Sequence, residues 1–124
     1  MANQARNITL NTIKKLYALS GNRCANPDCQ RELIQNGTQL GEIAHICAAS
    51  PSGPRYDLSK TDDKRRDYAN LILLCGDCNK IIDDNPDKYP VGLLREWKQV
   101  HESRCQDQFE KTQNAYLKRL ECCP

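Results

Sequence analysis

The sequence of 124 residues has no apolar run close to the ~20 residues that a membrane-spanning helix requires. Its first residues, starting with Met1, are polar and lack the apolar stretch and the small-residue cleavage site of an export signal. We therefore expect a cytoplasmic protein with no membrane partner. Thiols stay reduced in that compartment, so disulfide bonds are not expected to hold the fold together.

Aromatic residues are also scarce, at 6% of the chain, and hydrophobic residues in total reach only 39%. A domain this small buries about 60–70% of its unfolded surface, so a modest core needs a further crosslink. The chain contains eight cysteines that can provide one. Closely spaced cysteines in a reducing compartment bind a metal ion more often than they bind one another.

Acidic residues are absent from residues 1–27, which contain four basic residues. Two interpretations of this segment stay open. It is either a surface that binds phosphate groups, with Lys14 and Lys15 as candidate contacts, or an ordinary solvated helix face. The net charge of +2 is too small to decide between them.

Hydrophobic periodicity predicts a chain of the α+β class. Apolar residues at helical spacing predict an N-terminal helix over residues 8–20. Two strands are predicted over residues 39–47 and 70–75. The loop between them, residues 48–69, is too long for a simple connection and is expected to be functional or disordered. A short helix is predicted over residues 79–84, ended by an Asn-Pro step.

Two pairs of cysteines have the spacing of a structural zinc site. Cys24 and Cys29 have four residues between them, and Cys75 and Cys78 have two. Zinc prefers a tetrahedron of thiolate or imidazole ligands, and two short turns can each supply two of them. We predict that these four thiols bind one structural Zn²⁺, which joins the N-terminal helix to the second strand.

The alternative is that these residues are buried free thiols that act as small hydrophobic side chains. The remaining cysteines have no matching partner spacing, and we expect them in the core or exposed at the surface. They are Cys47, Cys105, Cys122 and Cys123.

The order of these features resembles the HNH endonuclease family: a thiol turn, a strand with a histidine, a long loop, an apolar strand, a second thiol turn and a short helix. In appearance the chain is closest to HNH domains of bacterial anti-phage defence effectors. The resemblance implies a small ββα-metal core, here stapled by zinc, and endonuclease activity. It covers roughly residues 20–102, and the matching segments are residues 41–46, 53–57, 70–79, 82–83, 89–90, 97–98 and 101–102.

The resemblance implies roles for four residues. His45 would be the general base that activates water, and phosphodiester hydrolysis needs such a base together with a divalent cation. Asn70 would clamp the long loop and fix the orientation of His45. Asn79 and Asp83, four residues apart on one helix face, would bind catalytic Mg²⁺ or Mn²⁺. The alternatives are a structural histidine, a turn asparagine, a helix cap and a solvated acid.

One position departs from the family pattern. Many HNH enzymes have an acid or a histidine directly before the base, where it binds the catalytic metal, and this chain has Ala44 there. Either the site is weak, or the missing ligand comes from one of four carboxylates, namely Glu42, Asp57, Asp62 and Asp63. Arg55, in a Gly-Pro-Arg turn, would clamp a phosphate with its forked donors or pair with a loop acid.

The match divides the chain into an HNH nuclease domain with structural zinc over residues 1–102 and a helical C-terminal extension over residues 103–124. Beyond Pro90 the spacing of apolar residues predicts one long helix or two helices end to end. The apolar line of the extension is expected to pack on the domain, on a second copy or on a sensor domain. Since an HNH site cuts one strand, we predict that a homodimer formed through the extension cuts both strands.

Two functions follow from this pattern. The first is a metal-dependent endonuclease that hydrolyses phosphodiester bonds in DNA, with duplex DNA as its partner. The second is a non-catalytic, zinc-stabilised module, derived from the HNH fold, that binds nucleic acid or protein. Ala44 and Asn79 favour the second function. His45 and Asn70 favour the first, since a pure binding module needs neither.

Overall fold

The first helix, α1, spans Leu10–Ser20 in a computed structural model of the protein, which describes residues 4–122 and the side chains of residues 4–120. Thr9 caps this helix, because its side-chain oxygen accepts a hydrogen bond from the Thr12 amide at 3.3 Å. Gly21 ends it with a φ of 61°, a left-handed conformation that glycine adopts readily. The predicted N-terminal helix is confirmed, and it begins two residues later than predicted because Thr9 is the cap.

A tight hairpin follows the first thiol turn. Strand β1 (Ile34–Gln35) pairs antiparallel with β2 (Thr38–Gln39). The two residues between them, Asn36 and Gly37, have φ angles of 51° and 79°. Two-residue hairpin turns favour such positive angles, because the turn then matches the twist of the strands. This hairpin was not predicted, although an Asn-Gly pair is its usual sign.

A second antiparallel hairpin, with a long connection, lies at the centre of the fold. Strand β3 (Gly41–His45) pairs with β4 (Leu71–Cys75), so the two predicted strands are confirmed, with β3 shorter than expected. The register places Gly41 opposite Cys75 and His45 opposite Leu71. The pairing therefore brings the histidine to the end of the sheet where the long loop returns.

Every residue of β4 is buried, which explains its uninterrupted apolar sequence. Helix α2 (Asp62–Arg65) and a 3-10 turn (Tyr68–Asn70) lie in the preceding loop, and α2 contacts a 3-10 turn at Gln4–Arg6. Helix α3 (Gly76–Asp84) starts directly after β4. The largest fully buried apolar side chains come from all parts of the chain and are Leu16, Leu33, Ile46, Leu71, Ile72, Leu74, Ile82 and Leu94.

The last helix, α4, runs without a break over Val91–Cys122, so the alternative with one long helix is the observed one. Its first part packs on the core through Leu94 and His101, which are buried. Beyond Cys105 every side chain as far as Leu120 is exposed. This exposed part, residues 106–120, extends about 22 Å. Position 102, the predicted end of the nuclease domain, lies inside α4, and Cys123 lies outside the described residues.

The protein is therefore an α+β fold with two small antiparallel sheets, an N-terminal helix and a long C-terminal helix. Among residues 4–122, no helix combines the length and the apolar character needed to cross a membrane. Packing of the exposed part of α4 on a second copy or on a sensor domain stays a prediction. The large exposed apolar side chains of this part are Phe109, Tyr116, Leu117 and Leu120.

Removal of residues 111–124 is expected to leave the stability of the monomeric fold almost unchanged. The side chains of residues 111–120 are all exposed, and exposed positions usually contribute within about 0.5 kcal/mol. The thermal midpoint of the truncated protein should therefore lie within about 4 °C of the full chain. A larger fall in the midpoint would contradict this prediction. If the midpoint of the full chain also rises with protein concentration while that of the truncated protein does not, the segment is an oligomer interface.

Candidate metal centre and candidate active site

The four predicted zinc ligands converge in space. The sulfur atoms of Cys24, Cys29, Cys75 and Cys78 all lie within 4.8 Å of one another, and all but Cys29 are buried. They could hold a metal ion together. Among the side chains of residues 4–120, this is the one group of three or more Cys, His, Asp or Glu residues that is close enough to do so.

Local hydrogen bonds shape both thiol turns. In the first turn, the Asn26 side-chain oxygen accepts from the Asp28 amide at 2.9 Å, an arrangement that asparagine favours in turns. The Asn26 amide nitrogen also lies 3.4 Å from the Cys78 sulfur. In the second turn, Cys75 is the N-cap of α3, and its sulfur lies 3.5 Å from the Cys78 amide. The two turns are therefore built to face each other.

Backbone hydrogen bonds also attach each turn to the central strands, the first turn to β4 and the second to the residue before β3. The Ala25 amide donates to the Leu73 carbonyl at 3.1 Å, and the Gly76 amide donates to the Leu40 carbonyl at 3.1 Å. The sulfurs of Cys29 and Cys75 are 3.8 Å apart, although the two residues are separated by 46 positions in the sequence. The cluster thus connects the segment after α1 to the junction of β4 and α3.

The pKa values of the cysteines indicate why a cation is needed to charge the cluster. Burial raises the pKa of Cys24 to about 11, although its sulfur accepts from the Cys75 amide. Burial is also the main reason for the raised pKa of Cys78. Burial opposes ionisation of Cys75 as well, but hydrogen bonds from Cys78 and the neighbouring thiols outweigh it and lower its pKa. Without a cation, burial therefore disfavours the thiolate forms of Cys24 and Cys78.

A cleft of about 140 Å³ collects three of the residues predicted for catalysis. His45 from the end of β3 and Asn79 and Asp83 from α3 all line it. Arg6 from the N-terminal 3-10 turn lines it as well. Arg6 was counted in the acid-free N-terminal segment but was not predicted as a site residue, and that charge pattern was its only sign.

The imidazole of His45 has a hydrogen-bond partner that fixes its tautomer. Its Nε2 lies 2.9 Å from the carbonyl oxygen of Ala5, which is fully buried. A carbonyl oxygen only accepts, so Nε2 carries the proton in this contact and Nδ1 has the lone pair of the neutral ring. The chemistry open to His45 is therefore proton acceptance at Nδ1.

Asn70 is buried and makes three hydrogen bonds with its side chain. Its amide nitrogen donates to the carbonyls of Cys47 at 3.0 Å and Arg65 at 2.8 Å, and its oxygen accepts from the Cys47 amide at 2.9 Å. These bonds join the two ends of the long loop directly beyond His45. Asn70 therefore holds the long loop, and its effect on the orientation of His45 stays a prediction.

Asn79 faces a carboxylate on the neighbouring strand. Its amide nitrogen donates to Oε2 of Glu42 at 2.7 Å. Its own oxygen, Oδ1, is buried and has no hydrogen-bond partner. An unpaired buried amide oxygen is costly, and amide oxygens are ligands for hard cations such as Mg²⁺. The unpaired Oδ1 of Asn79 is therefore suited to bind a divalent cation.

Arg55 is held inside the protein rather than presented to solvent. Its side chain is only 4% exposed, and it donates to the Ile46 and Ile82 carbonyls at 2.8 and 3.1 Å. It also pairs with Asp83 at 2.9 Å. Its backbone φ of 59° is unusual for a residue with a side chain. Phosphate binding by Arg55 stays a prediction, and it would require the guanidinium to leave these partners.

The two lysines of α1 lie outside the cleft. Lys14 is exposed, and the ammonium of Lys15 lies 4.2 Å from the centre of the Tyr68 ring. That position suits a cation–π contact, and phosphate binding by either residue stays a prediction. Of the remaining cysteines with described side chains, Cys47 is buried, and the Cys105 sulfur donates to the Ser20 carbonyl at 3.3 Å.

Comparison with known proteins gives no further assignment: no family model matches the chain, and no curated protein matches it significantly.

Removal of the metal from the thiol cluster is expected to unfold the protein, because metal-binding energy becomes folding energy here. Protein purified without added zinc should contain about one equivalent of it, and Cys78→Ser should lose both the metal and thermal stability. Cys105→Ser is the matched control, since that sulfur lies outside the cluster. Zinc below about half an equivalent, with a thiol count that a chelator does not change, would contradict the zinc site.

Asn70→Ala is expected to lower the free energy of unfolding by about 3 kcal/mol or more, since it leaves two carbonyls and one amide unpaired in the interior. Asn79→Ala is the matched control and should cost less than about 1 kcal/mol, because its one hydrogen bond is exposed. Urea unfolding monitored by circular dichroism measures both. Equal losses would show that Asn70 is not a clamp.

Proposed function

We propose that this chain is a metal-dependent endonuclease of the HNH type that hydrolyses phosphodiester bonds in duplex DNA. The observation that supports this most directly is the shared cleft of His45, Asn79 and Asp83, in which the imidazole has its lone pair on Nδ1. A hairpin of β3 and β4 followed at once by α3 is also what a ββα-metal core requires. A role in anti-phage defence stays a prediction.

In the proposed reaction, His45 removes a proton from water at Nδ1 as the water attacks the phosphorus. The ring then carries a positive charge, and its Nε2 proton remains bonded to the Ala5 carbonyl. Because Ala5 is buried, the ring is held in one orientation for the attack.

The substrate phosphate would enter beside a positively charged side chain. Arg6 lines the same cleft as His45 and is exposed, so it is available to a phosphate in a way that Arg55 is not. Asn79 would hold the catalytic cation together with a carboxylate, for which Asp83 is the sequence-based candidate. When bound, a divalent cation offsets charge on the phosphate and on the departing oxygen.

The thiol cluster would have a purely structural role in this enzyme. Four cysteine ligands fill the tetrahedron that zinc prefers and leave no open position for water or substrate. Zinc would therefore maintain the junction of β4 and α3, while catalysis takes place in the neighbouring cleft.

The second candidate is a non-catalytic zinc module that binds nucleic acid or protein. Two observations favour it: Ala44 cannot bind a metal, and Asp83 is already paired with Arg55 at 2.9 Å. The unpaired Oδ1 of Asn79 and the fixed tautomer of His45 favour the enzyme, because a binding surface has no use for either.

His45→Ala is expected to lower the rate of plasmid cleavage in Mg²⁺ or Mn²⁺ by about a hundredfold or more, because it removes the base. Zinc content should remain close to that of the wild type, because His45 is not one of the four clustered sulfur residues, and it verifies that the variant is folded. Gel electrophoresis of supercoiled, nicked and linear plasmid measures the rate.

Added imidazole provides the control for the base. It should restore part of the activity of His45→Ala and leave the wild type unaffected, which a folding defect would not do. Equal cleavage by wild type and variant would refute His45 as the base. Absence of cleavage by the wild type, with nucleic acid still bound, would favour the non-catalytic module.

A further inference from the structure

The structure discriminates among the four carboxylates that are candidates to replace the ligand missing at Ala44. Asp57 accepts from the amide and the hydroxyl of Ser59 at 3.0 and 2.6 Å. Asp62 pairs with Arg65 at 2.8 Å, and Asp63 pairs with Arg66. All three therefore serve their own loop. Among the four, Glu42 is the one that contacts a residue of the candidate site, through its 2.7 Å hydrogen bond with Asn79.

Glu42 lies on the correct face of the strand. It precedes Ala44 by two residues in β3, and side chains two apart in a strand project from the same face. Glu42 and Ala44 therefore both face α3. Within residues 4–120, Asp83 is the one acid that lines the cleft, and Arg55 neutralises its charge. Glu42 does not line the cleft itself but adjoins it through its contact with Asn79. No basic side chain among the described residues is paired with Glu42.

Each partner in this pair leaves one oxygen without a protein partner. Oδ1 of Asn79 is buried and unpaired. Oε2 of Glu42 is used by Asn79, and no described residue donates to its Oε1. Oε1 lies beside Gly76, 3.3 Å from the place where a Cβ at that position would stand. The two residues that contact each other thus have one carboxylate oxygen and one amide oxygen without a protein partner.

We propose that Glu42 supplies the carboxylate ligand that Ala44 cannot, so that Glu42 on β3 and Asn79 on α3 together bind the divalent cation. Carboxylate and amide oxygens are the ligands that Mg²⁺ and Mn²⁺ prefer. The proposal rests on the function proposed above, and it moves the charged ligand from Asp83 to Glu42.

The test is a titration of the zinc-loaded full chain with Mn²⁺ alone. The electron paramagnetic resonance signal of free Mn²⁺ measures how much of the ion is bound. The wild type should bind one Mn²⁺, and Glu42→Gln should bind it at least about tenfold more weakly. Asp83→Asn removes the competing candidate ligand and should weaken Mn²⁺ binding less than Glu42→Gln does. Asp63→Asn is the control, because Asp63 pairs with Arg66 in the long loop, and it should bind Mn²⁺ within about threefold of the wild type. Zinc content verifies that each variant is folded.

A double variant tests the pair itself. Glu42→Gln combined with Asn79→Asp exchanges the amide and the carboxylate between strand and helix, so it should recover most of the Mn²⁺ affinity that Glu42→Gln loses. Unchanged affinity in Glu42→Gln, a loss confined to Asp83→Asn, or absence of Mn²⁺ binding by the wild type would each overturn the proposal.

Failure of this proposal can be distinguished from failure of the proposed function. If plasmid cleavage depends on His45 while Glu42→Gln binds Mn²⁺ normally, the proposed endonuclease function is supported and the assignment of Glu42 as a ligand is wrong. If Glu42→Gln loses Mn²⁺ binding but neither the wild type nor any variant cleaves DNA, the cation site is supported and the proposed endonuclease function is wrong.

Discussion

Four sulfur atoms that lie within 4.8 Å of one another impose the main constraint on this fold. They belong to two turns, and Cys29 and Cys75 are separated by 46 positions, so the chain between them closes a large loop. Closing such a loop has an entropic cost that the small apolar core is poorly placed to offset. Burial alone also disfavours the charged thiolates, as the raised pKa of Cys24 indicates. A bound cation would remove both costs at once.

The long loop between β3 and β4 is held by buried polar side chains in addition to the apolar residues at its start. Asn70 donates to two carbonyls at its ends, and Arg55 donates to the carbonyls of Ile46 and Ile82. Arg65 donates to the Asp57 carbonyl at 3.0 Å and stacks 4.5 Å from the centre of the Tyr56 ring. Donors that reach backbone carbonyls satisfy groups that would otherwise be buried without partners. The loop therefore has a definite path, and that path forms one side of the cleft.

Local patterns predicted α1, α4, the two central strands and the two cysteine pairs, because each depends on spacing within a short segment. Helix α3 begins at Gly76, three residues before its predicted start, and α2 lies in the segment predicted as a loop. The β1–β2 hairpin has an equally local sign in Asn36 and Gly37, but it was not predicted. The contact between His45 and Ala5 could not be predicted, since it joins residues 40 positions apart through a backbone carbonyl that any residue provides. The partners of Arg55 and the contact of Glu42 with Asn79 depend in the same way on packing between distant elements.

Helix α3 contributes to two neighbouring regions with consecutive residues: Cys78 belongs to the sulfur cluster, and Asn79 lines the cleft. Successive residues of a helix are rotated by about 100°, so these two side chains point in different directions from one turn. An insertion or deletion between Cys75 and Asp83 would rotate every later side chain of the helix away from its region. The number of residues in this helix is therefore fixed. The connecting loops, in contrast, can change in length without rotating the side chains of α3.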